Sequence, residues 1–280
     1  MLLVLATACY QLDGFFFNPT VVDAYTLGGD IVPADCQEVV SFDGEAGTLY
    51  GAWVHQPQPG DDTCEPGTRN EDAQVVVFFH GNADNLDGYW NHLEFYWQSG
   101  YEVFEFDYRG YGRSVGEPSF DGVVADGATA IAYVEDTTDL PSTDLVFLGE
   151  SLGGFVVVHN LTDTPPKVLI TEDMFANTQK MLDDGTDLDL PSGWFFVDNF
   201  DNVPAVHNMP PEVPYLVAHG TADDYIEPEH AEMVYKAAGA TSKHLLMVDG
   251  ANHNTMLETD PDTVRTWIEC WITQTCPTEE

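Results

Sequence analysis

Basic residues are scarce in this sequence. Eight lysines and arginines stand against 48 aspartates and glutamates, which gives a formal net charge of -40 over 280 residues. A surface of this sign repels phosphate backbones and anionic lipid headgroups, so we expect neither nucleic-acid binding nor electrostatic docking to membranes. The net charge bears on solubility and on partners, and it indicates neither a fold nor a reaction.

A membrane-spanning run is also missing from the N-terminus. Met1–Cys9 is apolar but much shorter than the roughly 20 residues that a transmembrane helix needs. It ends in small residues, as a signal peptide does, although the usual basic residues are absent. Leu5–Cys9 resembles the lipobox of bacterial lipoproteins, whose cysteine is lipidated. We expect residues 1–8 to be a signal-peptide remnant and Cys9 to be the lipidated residue; a buried N-terminal strand is the alternative.

Cysteine is rare too, with five residues in all. Setting Cys9 aside leaves an even number, and local pairing of Cys36 with Cys64 and of Cys270 with Cys276 is the simplest of three connectivities. Disulfides persist in oxidising compartments, so the sequence favours an exported protein of the bacterial cell envelope or a secreted one. Four buried free thiols are the alternative. Any membrane contact would then be made through the N-terminal lipid anchor alone.

Beyond Cys9 the chain divides into an arm and one domain. Residues 9–35 carry several chain-breaking prolines and glycines, which indicates an irregular arm. Residues 36–280 alternate short apolar runs with helix-compatible stretches. This alternation predicts an α/β fold with a mostly parallel eight-stranded sheet and helices on both faces. The expected strands are Val39–Phe42, Leu49–His55, Val75–Phe79, Val103–Phe106, Leu145–Leu148, Val168–Ile170, Leu216–Ala218 and Leu245–Val248.

One connection in this domain is unusually long. Residues 172–214 exceed a normal crossover, and we expect them to form a short cover segment over the site. The segment contains the acidic cluster Asp183–Asp189, whose spacing does not match a calcium-binding loop. A solvated acidic loop is therefore the better interpretation, and the sequence predicts neither a metal nor a cofactor.

The run Gly149-Glu150-Ser151-Leu152-Gly153 matches G-x-S-x-G. The match gains weight from its position between an expected strand, Leu145–Leu148, and a helix-compatible stretch, Leu152–Asn160. A nucleophilic serine on a sharp strand-to-helix turn exposes its hydroxyl above the edge of a sheet. Ser151 is therefore the candidate nucleophile.

A serine hydroxyl needs an adjacent base, and the base needs an orienting acid. Downstream of Ser151, Asp223 and His253 each follow an expected strand, in the order acid then histidine that this arrangement uses. His253 is the candidate general base and acid, and Asp223 is its candidate orienting residue. Asp224 is the alternative orienting residue because it is adjacent and equally acidic.

Acyl transfer also needs donors for the developing oxyanion. The loop His80–Asn85 follows the strand Val75–Phe79, where such a donor is expected. We assign the main-chain N–H groups of Asn82 and Leu152 to this oxyanion hole; a plain turn is the alternative for the loop.

Five ordered motifs together resemble the α/β hydrolases, most closely their cap-less branch of depalmitoylating thioesterases and bacterial esterase-like proteins. They are His80–Asn85, Asp107–Ser114, Gly149–Gly154, His219–Asp223 and Gly250–His253. The resemblance implies the α/β-hydrolase fold and hydrolysis of carboxylic esters or thioesters through an acyl-enzyme on Ser151. The expected partner is a small or lipid-like acyl substrate, and no oligomeric state follows. A serine aminopeptidase or amidase with the same triad is the first alternative, and a non-catalytic lipid-anchored binding protein is the second.

Overall fold

A computed structural model of the protein describes residues 16–29, 31–65, 67–184 and 200–276. Its main feature is a mostly parallel sheet of eight strands. The predicted α/β-hydrolase fold, with its mostly parallel sheet, is confirmed. The strands are β1 (Asn18–Pro19), β2 (Gln37–Gly44), β3 (Gly47–Val54), β4 (Val75–Phe79), β5 (Ala83–Asp84), β6 (Glu102–Asp107), β7 (Val146–Glu150), β8 (Val168–Glu172), β9 (Tyr215–Gly220) and β10 (Lys243–Val248). The eight-stranded sheet has the order β10-β9-β8-β7-β4-β6-β3-β2. In it β3 runs antiparallel to both of its neighbours, β2 and β6, and every other adjacent pair is parallel.

Helices cover both faces of this sheet, and its central strands β4, β6, β7 and β8 are buried along their whole length. All five residues of β4 are buried, and successive side chains point to opposite faces. The helices are α1 (Trp90–Gln98), α2 (Phe120–Thr138), α3 (Leu152–Val158), α4 (Thr178–Asp184), α5 (Asn202–His207), α6 (Glu229–Ala237), α7 (Met256–Thr259) and α8 (Pro261–Ile272). Short 3-10 helices occupy Ala34–Cys36, Leu86–Tyr89 and Ser142–Asp144.

The two faces of the sheet build two separate cores. Residues of α2, α3 and α6 pack on one face, and residues of α1 and α8 pack on the other. Burial of each large apolar side chain contributes about 2 kcal/mol, so both faces stabilise the sheet. The first core includes Val77, Phe79, Phe147, Val123 and Val156, and the second includes Val76, Phe78, Leu148, Leu93 and Ile268.

Part of the N-terminal arm is ordered against the domain. Strand β1 pairs in parallel with β5, and Val21 forms a bridge with Gly112. Phe17 is buried in the first core. The sequence did not predict β1 or β5, because two-residue strands carry no period. The division of the chain at residue 36 stays a prediction.

Several expectations fall wholly or partly outside the described residues. Residues 1–15, which include Cys9, lie outside them, as do residues 185–199 of the cover segment. Helices α4 and α5 are the described helical parts of that segment. Among the described residues, none of the helices is long and apolar enough to span a bilayer.

Two disulfide bonds are present, in the local pairing favoured above. Cys36 is bonded to Cys64 with an S–S distance of 2.05 Å, and Cys270 to Cys276 with 1.97 Å. The first bond ties the start of β2 to the loop before β4. The second closes the end of α8.

Candidate active site

Ser151 sits on a sharp turn at the carboxyl end of β7. Its φ of 49° and ψ of -108° are uncommon for a residue with a side chain, which is the strain expected of a nucleophile elbow. A Cβ at Gly153 would lie 1.7 Å from the carbonyl oxygen of Phe79, so only glycine lets the elbow pass β4. The Ser151 N–H donates to the carbonyl oxygen of Glu172 on β8 at 2.8 Å.

Asp223 and His253 are brought together at the same edge of the sheet. Nδ1 of His253 lies 2.8 Å from Oδ2 of Asp223. The other oxygen, Oδ1, accepts hydrogen bonds from the main-chain N–H groups of Tyr225 at 2.9 Å and Ile226 at 2.8 Å. Asp223 is therefore fixed toward the imidazole. The rival Asp224 is exposed, and it is not the residue that contacts the ring.

His219 is a second imidazole that contacts Asp223. Its Nε2 lies 2.8 Å from the carbonyl oxygen of Ile226 and 3.3 Å from Oδ2 of Asp223. Nε2 donates its proton to the Ile226 carbonyl oxygen, which is the nearer of the two, and its contact with the Asp223 carboxylate is electrostatic. Burial alone would raise the pKa of the Asp223 carboxyl, but His219 and His253 together hold it well below its usual range. Asp223 is therefore an anion throughout the neutral range.

Asp173 is a further carboxylate in this centre, and the sequence analysis missed it. It follows β8 directly and is fully buried with a positive φ of 48°. Its Oδ1 accepts from the N–H of Gly220 and its Oδ2 from the N–H of Asn254, both at 3.0 Å. It thus ties the loops that carry Asp223 and His253 to the strand beside the elbow. The signal was its position at the end of an expected strand.

These groups also form a set of the kind that binds metals. Ligand atoms of Asp173, Asp223 and His253 lie within 4.8 Å of one another. Both oxygens of each carboxylate, however, already accept hydrogen bonds from main-chain N–H groups or from the imidazole. The set is therefore engaged in holding the site together, and it does not fit a cation without breaking those bonds.

The two predicted oxyanion donors have free N–H groups. Within the described part of the chain, the main-chain N–H groups of Asn82 and Leu152 make no hydrogen bond to the protein. Leu152 is the first residue of α3, where an N–H has no partner in its own helix. Burial lowers the pKa of the neighbouring His80 to about 4, so this ring is neutral, and its Nδ1 lies 2.8 Å from the Gly81 carbonyl oxygen. This contact fixes the start of the Asn82 loop.

Acidic groups form a buried layer beneath the elbow. Glu150 and Glu172 are register partners in β7 and β8, and both are fully buried. Burial, followed by the charges of Glu172 and Asp173, raises the pKa of Glu150 well above its usual range. His92, whose pKa burial lowers to about 4, places Nε2 3.2 Å from Oε2 of Glu150. The raised pKa of the Glu150 carboxyl and the lowered pKa of the His92 imidazole both favour the uncharged form of the group.

A cavity of about 500 Å³ lies away from this chemistry. It is open to solvent beside the amino end of β10, where Trp267, Trp271 and His244 line it. Parallel α/β sheets bind their ligands at the carboxyl ends of the strands. The cavity is therefore not the site that Ser151 faces.

A family model and a curated relative each match this chain over more than half of its length. The family model described as "Serine aminopeptidase, S33" (Hydrolase_4) matches residues 70–171 and 197–260, more than half of the chain. The uncharacterized protein YfhR of Escherichia coli is 28% identical over 171 residues, which cover 60% of this chain and 59% of that protein. The chain thus spans less than two thirds of the length of this curated relative.

Two solved structures share the fold at low identity. The esterase Pf2001 of Pyrococcus furiosus is 18% identical, with a TM-score of 0.70 over 92% of this chain and 98% of that one. A puromycin-hydrolyzing peptidase of Mycobacterium tuberculosis is 18% identical, with a TM-score of 0.66 over 90% of this chain and 41% of that one. At such identities the likeness concerns the fold.

Proposed function

The chain belongs to the Hydrolase_4 family of α/β hydrolases and is a hydrolase, and we propose that it cleaves carboxylic esters or thioesters through an acyl-enzyme on Ser151. The observation that carries the proposal is the 2.8 Å contact between His253 Nδ1 and Asp223 Oδ2, at the sheet edge where the elbow places Ser151. An imidazole oriented by a carboxylate is the group that activates a serine hydroxyl as a nucleophile.

In the proposed mechanism the Ser151 hydroxyl attacks the acyl carbonyl carbon while His253 Nε2 takes its proton. The N–H groups of Asn82 and Leu152 donate to the resulting oxyanion. Collapse of this intermediate expels the alcohol or thiol, which receives the proton from His253. Water then attacks the acyl-enzyme with His253 as base, and the carboxylic acid leaves while Ser151 regains its proton. Asp223 keeps its negative charge throughout and stabilises the imidazolium.

The charge of the molecule favours neutral substrates. The formal net charge is -40, and the site itself holds Asp173 and Asp223 close together. An anionic substrate would meet repulsion on approach, whereas a neutral ester would not. The carboxylate product is an anion, so the same field favours its release.

A second candidate is cleavage of an amide after a free amino group, as in a serine aminopeptidase. The description of the matched family and the peptidase neighbour support it, as does an acidic environment that attracts a substrate ammonium group. The same triad serves both reactions. Esters are favoured because no described residue marks a pocket for a peptide side chain.

A fluorophosphonate probe tests the proposed nucleophile. We expect the folded wild type to be labelled covalently, Ser151→Ala to lose the label, and the matched control Ser41→Ala, at an exposed position of β2, to keep it. Turnover of p-nitrophenyl esters is then compared with that of aminoacyl p-nitroanilides. Ester turnover alone supports the esterase; anilide turnover at a higher kcat/KM selects the peptidase. A folded wild type that takes no label excludes both.

We also propose that the protein is exported and lipid-anchored through Cys9. The bonds Cys36–Cys64 and Cys270–Cys276 support export, because disulfides persist in oxidising compartments. Intact-mass analysis of protein expressed from the full gene in a bacterial host tests the anchor. A diacylglyceryl mass on a chain that begins at Cys9, lost in Cys9→Ala, is the expected result. An unmodified Met1 chain in the soluble fraction would contradict it.

A further inference from the structure

The described part of the N-terminal arm crosses the loop that holds the predicted oxyanion donor. Strand β1 pairs in parallel with β5 in the register Asn18 to Ala83 and Pro19 to Asp84. The N–H of Thr20 donates to the carbonyl oxygen of Asp84 at 2.8 Å. The arm is thus hydrogen-bonded to the residues that directly follow Asn82.

The Asn82 side chain is the point where arm and loop meet. Its Nδ2 donates to the carbonyl oxygen of Phe16 at 2.6 Å, and its Oδ1 accepts from the N–H of Asn18 at 3.3 Å. On the domain side, the Tyr111 hydroxyl lies 2.8 Å from Asn82 Oδ1 and 3.0 Å from the Asn82 carbonyl oxygen. The side chain and carbonyl group of Asn82 are therefore held from both sides, while its N–H has no partner among the described residues.

The arm makes two further attachments to the domain after these residues. Gly112 exchanges two main-chain hydrogen bonds with the arm, donating to Thr20 and accepting from Val22, both at 3.0 Å. Further along, the Tyr25 hydroxyl bonds to the buried carboxylate of Asp107 and accepts from the N–H of Arg113 at 3.1 Å. The arm therefore joins the loop after β4 to the loop after β6.

We propose that the N-terminal arm is part of the catalytic apparatus: residues 16–20, acting through the Asn82 side chain, position the Asn82 N–H for the oxyanion. The inference rests on the proposed function, because it assigns the arm to the transition state of that reaction. An oxyanion donor is effective when it is fixed in place before charge develops. A loop with only its own hydrogen bonds has more freedom than one clamped between Tyr111 and the arm. Asn82 is a positioning residue through its side chain.

The test variant is Asn82→Ala, which keeps the main-chain N–H and removes the clamp. Loss of one oxyanion donor costs roughly 10²–10³ in kcat, so a displaced donor should lower kcat at least about tenfold. We expect KM to stay within about threefold, because the interaction is made in the transition state. The affinity for a trifluoromethyl ketone, which forms the oxyanion with Ser151, should fall in parallel with kcat. Val39→Thr is the control, since this side chain is exposed on β2, outside the arm.

A second variant leaves the oxyanion loop intact. Asn18→Pro removes the N–H of the arm that donates to Asn82 Oδ1. It leaves every residue of the domain unchanged. A kcat reduced at least about threefold, with an unchanged KM, supports the inference even if Asn82→Ala does not fold. Unchanged kcat and ketone affinity in the folded variants, with fluorophosphonate labelling retained, overturn the role of the arm and leave the proposed function standing. A wild type without labelling overturns the function itself.

Discussion

Replacing Glu172 by glutamine should remove a pH dependence from the stability of the fold. Glu172 ends β8 and is fully buried, and the Tyr96 hydroxyl donates to its Oε1 at 2.7 Å. Burial raises its pKa from 4.5 to about 7; the Tyr96 hydrogen bond opposes the rise and the charge of Asp173 adds to it. Glutamine is of the same size and keeps an acceptor oxygen for Tyr96.

The sign and the size of this pH dependence follow from the difference in the pKa of Glu172 between the folded and the unfolded chain. Between pH 4.5 and pH 7 the folded chain keeps the Glu172 proton, whereas the unfolded chain has released it. The unfolded state binds fewer protons there, so the free energy of unfolding falls as the pH rises and levels off above pH 7. At about 1.4 kcal/mol per pKa unit, Glu172 accounts for a loss of about 3 kcal/mol over this window.

Urea unfolding at several pH values between 4 and 8 measures this loss. The disulfides stay oxidised, and the ionic strength is fixed and high so that general charge repulsion is screened. The free energy of unfolding of the wild type minus that of Glu172→Gln should fall by about 3 kcal/mol from pH 4.5 to pH 7. Glu117→Gln, at an exposed loop position, is the control. A wild-type-minus-variant difference that is constant with pH would refute the reasoning.

Three further predictions concern the site and the frame that holds it. Asp223→Asn should lower kcat by about 10⁴-fold in an ester assay with little change in melting temperature, because the amide favours the wrong imidazole tautomer. Gly153→Ala should fail to give folded, labelled protein, since its Cβ would overlap the carbonyl oxygen of Phe79; circular dichroism and probe labelling check this. Replacing Cys36 and Cys64 together by serine should lower the free energy of unfolding, measured in urea, by about 3.5 kcal/mol, which is the loop-closure value for a separation of 28 residues.

The fold and the contact between Asp223 and His253 could be predicted because their signals are local. Each predicted strand is a short, mainly apolar run, and the structure moves its ends by two residues or fewer. The elbow is a contiguous sequence motif, and its glycines are required because neighbouring atoms leave no room for a side chain. At Gly153, for example, a Cβ would overlap the carbonyl oxygen of Phe79. Asp223 and His253 could be chosen because each follows a predicted strand downstream of Ser151, and parallel strands bring their carboxyl ends to one edge of the sheet.

The clamp on Asn82 could not be predicted in the same way. Its partners Phe16 and Asn18 are 66 and 64 residues away along the chain. No period or motif links such positions, and β1 and β5 are too short to carry a pattern. The position at which the arm docks depends on hydrogen bonds that only the folded chain defines.

Asp173 and His219 were missed for a different reason. Each stands at the carboxyl end of a predicted strand, where a catalytic group is expected, but one acid and one histidine had already filled the triad. The structure assigns the two residues to support: Asp173 accepts from the N–H groups of Gly220 and Asn254, and His219 contacts Asp223. A sequence motif identifies the residues that react, but it does not identify the residues that position them.

The formal net charge overstates the charge that the reacting groups experience. Glu105 and Glu150 are fully buried, and burial raises the pKa of each well above its usual range. Glu150 directly precedes Ser151, and a negative charge there would oppose the oxyanion that we propose at Leu152 and Asn82. The raised pKa favours the uncharged form of Glu150, which suits an acidic protein whose proposed reaction passes through an anionic intermediate. Because the remaining acidic groups are mostly exposed and are screened by salt, we expect ionic strength to change stability and solubility more than kcat.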